Sequence, residues 1–485
     1  MQRFRQGLLM ATVTCGLGVS SVSAAWADDL RGALALAYQT NPTLQGARAQ
    51  QRATDENVPI ERAGGLPSLR AQAQHTEFLR KSANSFSSPD RALNATLSLA
   101  VPIYSGGAVR NSVKAAETRV EAGQADLRGT ESGLFTQVVA AYMDVILNQS
   151  IVGLNRNNAD VLGVNLRATS DRFEIGDLTR TDVAQSEARL ALARGDVQTS
   201  ESNLIESRER YIRLVGQPPV DLQPPPPLPG FPASPEAAVA SALENNPDLI
   251  AARERSKASD FDINVAGSSR LPTLEVFSDT AYQNFFGTLR GVGDTNALVQ
   301  SQTTTQVGVR ASIPIFQGGR PAALRRQAQA RSAASFEQEI AVEREVVASV
   351  RAAYASWQAA RESIASFQSG VDAATLSLEG VRAENSVGNR TILDILDAEQ
   401  ELLQTRVRLV TAQRNAYVAG FSLLSAMGRA EAKDLGLDGG PLYDPNVNYR
   451  RVRSKWFDLD DDPAPVAVST RTIDTPAQDG AIPKP

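Results

Sequence analysis

Residues able to do chemistry are scarce in this chain. Among its 485 residues there is one histidine and one cysteine. His75 stands in a strand-like stretch without the set of neighbouring ligands that a metal or a proton relay needs. Cys15 lies within the first few residues, so a cysteine framework is excluded. No P-loop, HExxH or GxSxG pattern occurs. The recurring polar signal is Thr-x-x-Asp, at Thr179 and Asp182 and again at Thr391 and Asp394, which fits a helix capping box. The reading is therefore not an enzyme: no catalytic residues, no cofactor and no metal. Nor is there a nucleotide-binding loop through which the chain could draw on a nucleotide's energy.

Such a chain must act through its elements, and its start says where. Arg3 and Arg5 precede an apolar run from Gly7 to Val22, and Ala25-Trp26-Ala27 is an A-x-A cleavage site. Residues 1–27 read as a signal peptide. Cys15 would leave with it, and its flanking residues lack a lipoprotein pattern. The net charge of −5 becomes more negative once two arginines are removed, which argues against nucleic acid as a partner. Beyond the signal no uninterrupted apolar run of helix-spanning length occurs. An exported chain of this kind is periplasmic, secreted, or built into the outer membrane as strands.

The chain is one unit written twice. Asn41-Pro42-Thr43-Leu44 recurs as Asn246-Pro247-Asp248-Leu249, and Leu66-Pro67-Ser68-Leu69 as Leu271-Pro272-Thr273-Leu274, both at an offset of 205 residues. Val101-Pro102-Ile103-Tyr104-Ser105-Gly106-Gly107 recurs as Ile313-Pro314-Ile315-Phe316-Gln317-Gly318-Gly319 at an offset of 212. The offset therefore changes once, between the two strand signals of each half, where a loop of variable length is expected. Its second version holds Gly287, Gly291 and Gly293. The expected boundaries are 28–216 for the first repeat, 217–235 for a Pro-rich linker, 236–428 for the second repeat and 429–485 for a C-terminal extension, disordered after about 458.

Within each repeat a short helix leads through the Asn-Pro corner to a helix of roughly 22 residues. Two strands follow, near 66–80 and 91–104 in the first repeat and near 271–285 and 303–316 in the second. Two tracts without proline, 103–217 and 322–440, then give long helices at 107–174 and 178–214, and at 318–386 and 391–427. Leu134, Val138, Ala141, Tyr142 and Val145 form a thin apolar seam, repeated as Val346, Val350, Ala353, Tyr354 and Trp357. The other faces are polar, as in a coiled coil or a hollow cylinder of helices. Leu93, Leu97, Leu99 and Val101 alternate with Asn94, Thr96 and Ser98, as do Val307, Val309 and Ala311 with Gln306, Gly308 and Arg310. Such strands suit either a half-buried soluble sheet or a membrane barrel. Tyr104, Phe277, Tyr282, Phe285, Phe286 and Phe316 are candidates for an aromatic girdle or for ordinary core. Four strands per chain cannot close a barrel, so a barrel would need several copies.

Three doubled motifs, six pieces in one order, covering the chain to about Arg429, resemble the TolC family of outer-membrane efflux proteins. The resemblance implies a mainly α fold with a membrane β-barrel portion. Three chains would form a twelve-stranded barrel and a helical periplasmic tunnel. It implies an outer-membrane channel of a tripartite export system, passing proteins by type I secretion or small toxic compounds. The implied partners are two further copies, a periplasmic adaptor, an inner-membrane ABC or proton-driven transporter, and outer-membrane lipid. The missing lipoprotein cysteine tilts the cargo toward proteins. The resemblance also places a periplasmic gate at Asp394, Asp397, Arg390 and Asp182. The repeat equivalents of Asp397 and Arg390 are Gln185 and Leu178, so capping does not account for them. Asn385 stands where well-known members carry tyrosine. The competing reading is a soluble periplasmic coiled-coil adaptor, which would lack lipid-facing strand pairs.

Overall fold

A computed structural model describes residues 29–81, 89–289, 298–437 and 442–482. The expected signal peptide lies outside the described residues, as do Gly291 and Gly293 of the variable loop. The first repeat runs α1 (Leu30–Thr40), α2 (Pro42–Asp55), α3 (Asn57–Ala63), β1 (Ser68–Glu77), β2 (Arg91–Ser105), α4 (Ala108–Glu174) and α5 (Arg180–Val215). The second runs α6 (Pro235–Asn245), α7 (Pro247–Ser268), β3 (Thr273–Asn284), β4 (Ser301–Ser312), α8 (Arg320–Ser386) and α9 (Ile392–Ala426). The short α10 (Pro445–Val452) follows.

The doubled Asn-Pro motif is a joint between helices. The Asn41 side chain accepts hydrogen bonds from the amides of Thr43 and Leu44, capping α2, and donates to the Leu214 carbonyl at the end of α5, 2.9 Å away. Asn246 repeats this for α7, donating to the Ala426 carbonyl of α9 at 2.9 Å. One buried amide thus satisfies donors at one helix start and an acceptor at another helix end, both of which lack intrahelical partners. Proline at the first helical position suits the entry, because its missing N–H would have been an orphan. Gly428, at φ +72, closes the second joint, and a Cβ there would lie 2.3 Å from the Asn245 carbonyl oxygen.

The expected 22-residue helix exists only in the second repeat. In the first it breaks at Glu56 into α2 and α3. Pro59 is the cause: it has no N–H to donate, and its ring crowds the carbonyl of Asp55 four residues earlier.

The four strands form one antiparallel sheet in the order β1-β2-β3-β4, so β2 and β3 join the two repeats. The register sorts its faces. One carries Leu69, Leu97, Leu99, Val101, Val276, Val307 and Val309. The other carries Arg70, Gln72, Gln74, Asn94, Thr96, Asp279, Gln283, Thr304 and Gln306. A bulge at Pro102–Tyr104 shifts the pairing so that Tyr104 stands opposite Leu274, on the apolar face. Phe277 departs from the girdle expectation. It lies on the polar face, under the Arg310 guanidinium at 4.6 Å, with Gly308 leaving room for its ring. Strand β4 ends at Ser312, short of the expected 316, because Pro314 cannot continue the ladder. Ile315 and Phe316 beyond it are 96% and 88% exposed.

Helices α4 and α8 each have 67 residues, about 100 Å at 1.5 Å per residue. Helix α4 has an 18-residue window apolar enough to cross a membrane, but its Phe135, Val138, Val139, Tyr142 and Val145 are core residues. They form a belt around the helices with α1, Leu222 of the linker, and Ala430, Ala432 and Leu437. The linker crosses from one repeat to the other: Tyr142 donates to the Gln223 carbonyl, and Phe231 stacks on Trp357 with ring centroids 4.3 Å apart. The repeats are buried unequally. Twenty residues of α4 are buried and only five of α8.

The extension after residue 458 was expected to be disordered. It has no regular structure, but its end lies along α4 and α5, held by hydrogen bonds from Arg208 and Arg156. The ordering force is polar and comes from helix residues, a signal absent from the composition of the tail.

Replacing Asn246 with Asp separates the two halves of the joint. The carboxylate still caps α7 but cannot donate to the Ala426 carbonyl. Leaving that group unpaired should cost about 1–3 kcal/mol. Asn246→Ala loses the cap as well and should cost about 1 kcal/mol more. Chemical denaturation of both variants checks the order.

Candidate functional site

The charged residues singled out from the sequence gather at the ends of two helical hairpins. The α4–α5 turn and the α8–α9 turn share one design: Gly176 and Gly388 both sit at φ +84, a left-handed conformation that favours glycine. Asp177 and Asn389 then donate their amides back to the carbonyls of Arg172 and Glu384, each at 2.9 Å. Both capping boxes form. The Asp182 carboxylate accepts from the amide of Thr179 at 2.8 Å and from its hydroxyl at 2.7 Å, and Asp394 has the same two contacts with Thr391. Hydrogen bonds from these threonines hold both carboxyls below the ordinary aspartate range. A depressed folded value means that the capping contribution is present above the unfolded pKa and is lost as pH falls through the folded one.

The turns differ in charge. In the first, Arg172 on the helix pairs with Asp177 in the turn at 2.6 Å. In the second the polarity is reversed: Glu384 is on the helix, and Arg390 in the turn donates to it at 2.7 Å. Arg390 also lies 3.9 Å from Asp394, and Asn385 donates to the Arg390 carbonyl at 2.7 Å. Within one chain Arg390 therefore serves Glu384 and Asp394, while Asp182 serves Thr179. The expected Arg390–Asp182 pair is not among these contacts.

Asp397, one turn beyond Asp394, reaches across to α5, where Arg189 donates to it at 2.5 Å. Arg189 was not singled out from the sequence. Its repeat equivalent is Glu401, and that sign reversal was the available signal. A second missed residue is Glu399, 6% exposed on α9. It accepts from Arg382 of α8 at 2.8 Å and from Asn165 of α4 at 3.2 Å. Its second carboxylate oxygen is buried without a hydrogen-bond partner, beside a cavity of about 270 Å³ lined by Leu154, Asn158, Leu378 and Arg406. Polar contacts thus tie the α4–α5 hairpin to the α8–α9 hairpin at two levels near their ends. A third lies nearer the belt, where Asp144 of α4 receives Arg414 of α9 at 2.8 Å and stands 3.6 Å from Arg210 of α5.

His75 lies in β1 beside Glu77 and Phe286. No group of three or more metal-ligating side chains occurs among the described residues.

The family model described as outer membrane efflux protein matches residues 33–217 and 238–429. The outer membrane efflux protein BepC of Brucella suis is 34% identical over 463 residues, covering 93% of this chain and 96% of that protein. The outer membrane protein TolC of Vibrio cholerae is 27% identical over 438 residues, covering 88% of this chain and 97% of that protein. The solved structure of the Campylobacter jejuni CmeC outer membrane channel shares the fold with a TM-score of 0.72 at 16% identity, over 88% of this chain and 89% of that one. This chain belongs to the outer membrane efflux protein family. It is an outer-membrane export channel with a periplasmic helical tunnel, and its family is one of transport proteins. The relatives give no support to a soluble adaptor.

The two levels near the hairpin ends should differ in energetic weight. The Arg189–Asp397 pair is substantially exposed, so Arg189→Ala should cost less than about 1 kcal/mol. Arg382→Ala removes the guanidinium hydrogen-bonded to the buried Glu399 and should cost more. Denaturation midpoints of the two variants check this ranking.

Proposed function

We propose that three copies of this chain form one duct, gated at the hairpin ends by Asp394, Asp397, Arg390 and Asp182. The observation that carries the reading is the sheet. It has an apolar face, a polar face and two unpaired outer strands, β1 and β4. Lipid accepts the apolar face but tolerates no open edge. Pairing β4 of one copy with β1 of the next removes every edge and gives twelve strands from three chains. The polar face then lines a wet lumen. The sparse burial of α8 supports the same arrangement, because an exposed helix beside a well-covered twin leaves a face for a neighbouring copy.

The long helices carry the duct into the periplasm, where a periplasmic adaptor and an inner-membrane ABC or proton-driven transporter would meet it. The chain supplies passage for proteins or small toxic compounds, and those partners supply the energy. At the mouth, three copies bring six carboxylates from Asp394 and Asp397 around one opening. Like charges so close attract cations, above all multivalent ones. Arg189 offsets part of the Asp397 charge within each chain. In this reading Arg390 exchanges Glu384 for Asp182 of an adjoining hairpin when the mouth is shut.

Single-channel recording in planar bilayers tests the assignment. Trivalent cations should block the wild-type pore, and replacing Asp394 and Asp397 together with Ala should abolish block and weaken cation selectivity. Arg189→Ala should tighten block by freeing Asp397, and Arg390→Ser should raise conductance. Block that survives the double replacement would remove the carboxylates from the mouth and leave them as caps alone.

A further inference from the structure

We infer that the groove between α4 and α5 at Gly153, Arg156, Glu201 and Arg208 is a binding site for an extended peptide, and that the chain fills it with its own residues 478–482 as a releasable strap. The site is built around two guanidinium groups. Arg208 donates to the Asp479 carbonyl at 2.6 Å, to the Asp479 carboxylate at 3.2 Å and to the Ala481 carbonyl at 2.7 Å. Arg156, held by Glu201 at 2.6 Å, donates to the Gly480 carbonyl at 3.1 Å. Glu209 accepts from the Gln478 amide at 3.2 Å. Three consecutive carbonyls and one carboxylate are therefore read in a row.

These contacts define the ligand. A helix keeps its carbonyls in its own hydrogen bonds, so only an extended segment can present three in succession. Gly480 is pressed against α5: a Cβ there would lie 2.8 Å from the Glu201 Cβ. Ile482 packs beside Gly153 of α4 and joins the edge of the belt core. The pattern read is an acidic residue, then glycine, a small residue and an aliphatic one.

The groove belongs to the first repeat alone. At the 212-residue offset Arg208 becomes Gly420, Arg156 becomes Gln368 and Glu201 becomes Gln413. At Gly420 the linker residues Leu228 and Phe231 take the space against α9. A charge-lined peptide site on one hairpin and an apolar seal on the other mean that this site did not arise from the shared fold. The Arg208 side chain is 9% exposed with the strap in place. Among the described residues, all of its hydrogen bonds go to the strap, and its Nε is buried without one. The segment leading to the strap is loosely held, with Val466, Val468 and Ile473 each more than 70% exposed. Few apolar contacts hold the strap down, so its occupancy rests on tethering, which keeps the local peptide concentration high.

The test uses the full chain. With cysteines at Glu209 and Gln478, which lie side by side and leave Gly480 intact, a short bifunctional thiol reagent should link the strap to α5 in high yield. Ile482→Asp, a change confined to the strap, and Arg208→Ala should each lower that yield at least fivefold. A strap disabled by Gly480→Val and Ile482→Asp should free the groove. A fluorescent peptide of residues 474–485 should then bind this variant at least tenfold more tightly than the wild type, and Arg208→Ala should abolish the gain. A cross-link indifferent to Ile482 and Arg208 would overturn the strap. Equal binding of the peptide to wild type and disabled variant, or binding that ignores Arg208, would overturn the site.

Discussion

The two outer strands of the sheet impose the constraint from which the rest follows. Each presents a row of backbone N–H and C=O groups with no strand partner on its outer side among the described residues. In water such an edge is a hazard for aggregation. In hydrocarbon it is untenable, since each unsatisfied group costs several kcal/mol. A four-stranded sheet with Leu69, Leu99, Val307 and Val309 on one face and Arg70, Gln72, Asp279 and Gln306 on the other can live in a membrane only as an arc of a larger closed wall. Closure then places the helices that follow β2 and β4 in a ring, and the ring makes a tunnel from hairpins that would otherwise be wet rods.

The Asn-Pro joints convert that ring into a body with a fixed middle. Asn41 and Asn246 tie the entry helices to the ends of α5 and α9, and the linker and post-repeat segments fill the belt between them. Toward the hairpin ends a small apolar cluster of Leu162, Leu190, Ala193 and Leu396 joins the two hairpins, and polar contacts between them flank it: Asp144 with Arg414, Glu399 with Asn165, Asp397 with Arg189. An apolar belt resists opening because separation would expose buried area. Polar contacts at the ends exchange for water at little net cost. A large apolar core at the middle and smaller apolar clusters with flanking polar contacts at the ends make the ends the easier part to open.

Much of this was legible in the sequence because the signals were periodic and written twice. The repeat offsets and proline-free tracts placed the long helices within a few residues of their observed ends, and strand alternation sorted Leu97 and Leu99 from Thr96 and Ser98. What escaped depended on contacts distant along the chain. Asn41 was visible as a motif, but its bond to Leu214 required the fold. Arg189 and Glu399 look like solvated helix charges until the two hairpins are side by side. Phe277 reads as a girdle or core aromatic until register puts it under Arg310. The tail looks disordered because its partners, Arg156 and Arg208, lie some 270 to 320 residues away in sequence.

The measurement that bears most directly on the account is cross-linking of the sheet edges. One cysteine is placed along Leu69–Gln74 of β1 and another along Thr303–Val307 of β4, pair by pair to sample the register, and the protein is oxidised in native membranes and run under denaturing conditions. Closure by three copies predicts that matched pairs yield bands of one, two and three chains, with the three-chain species as the end point. No inter-chain band at any register, or a ladder running past three, would contradict it.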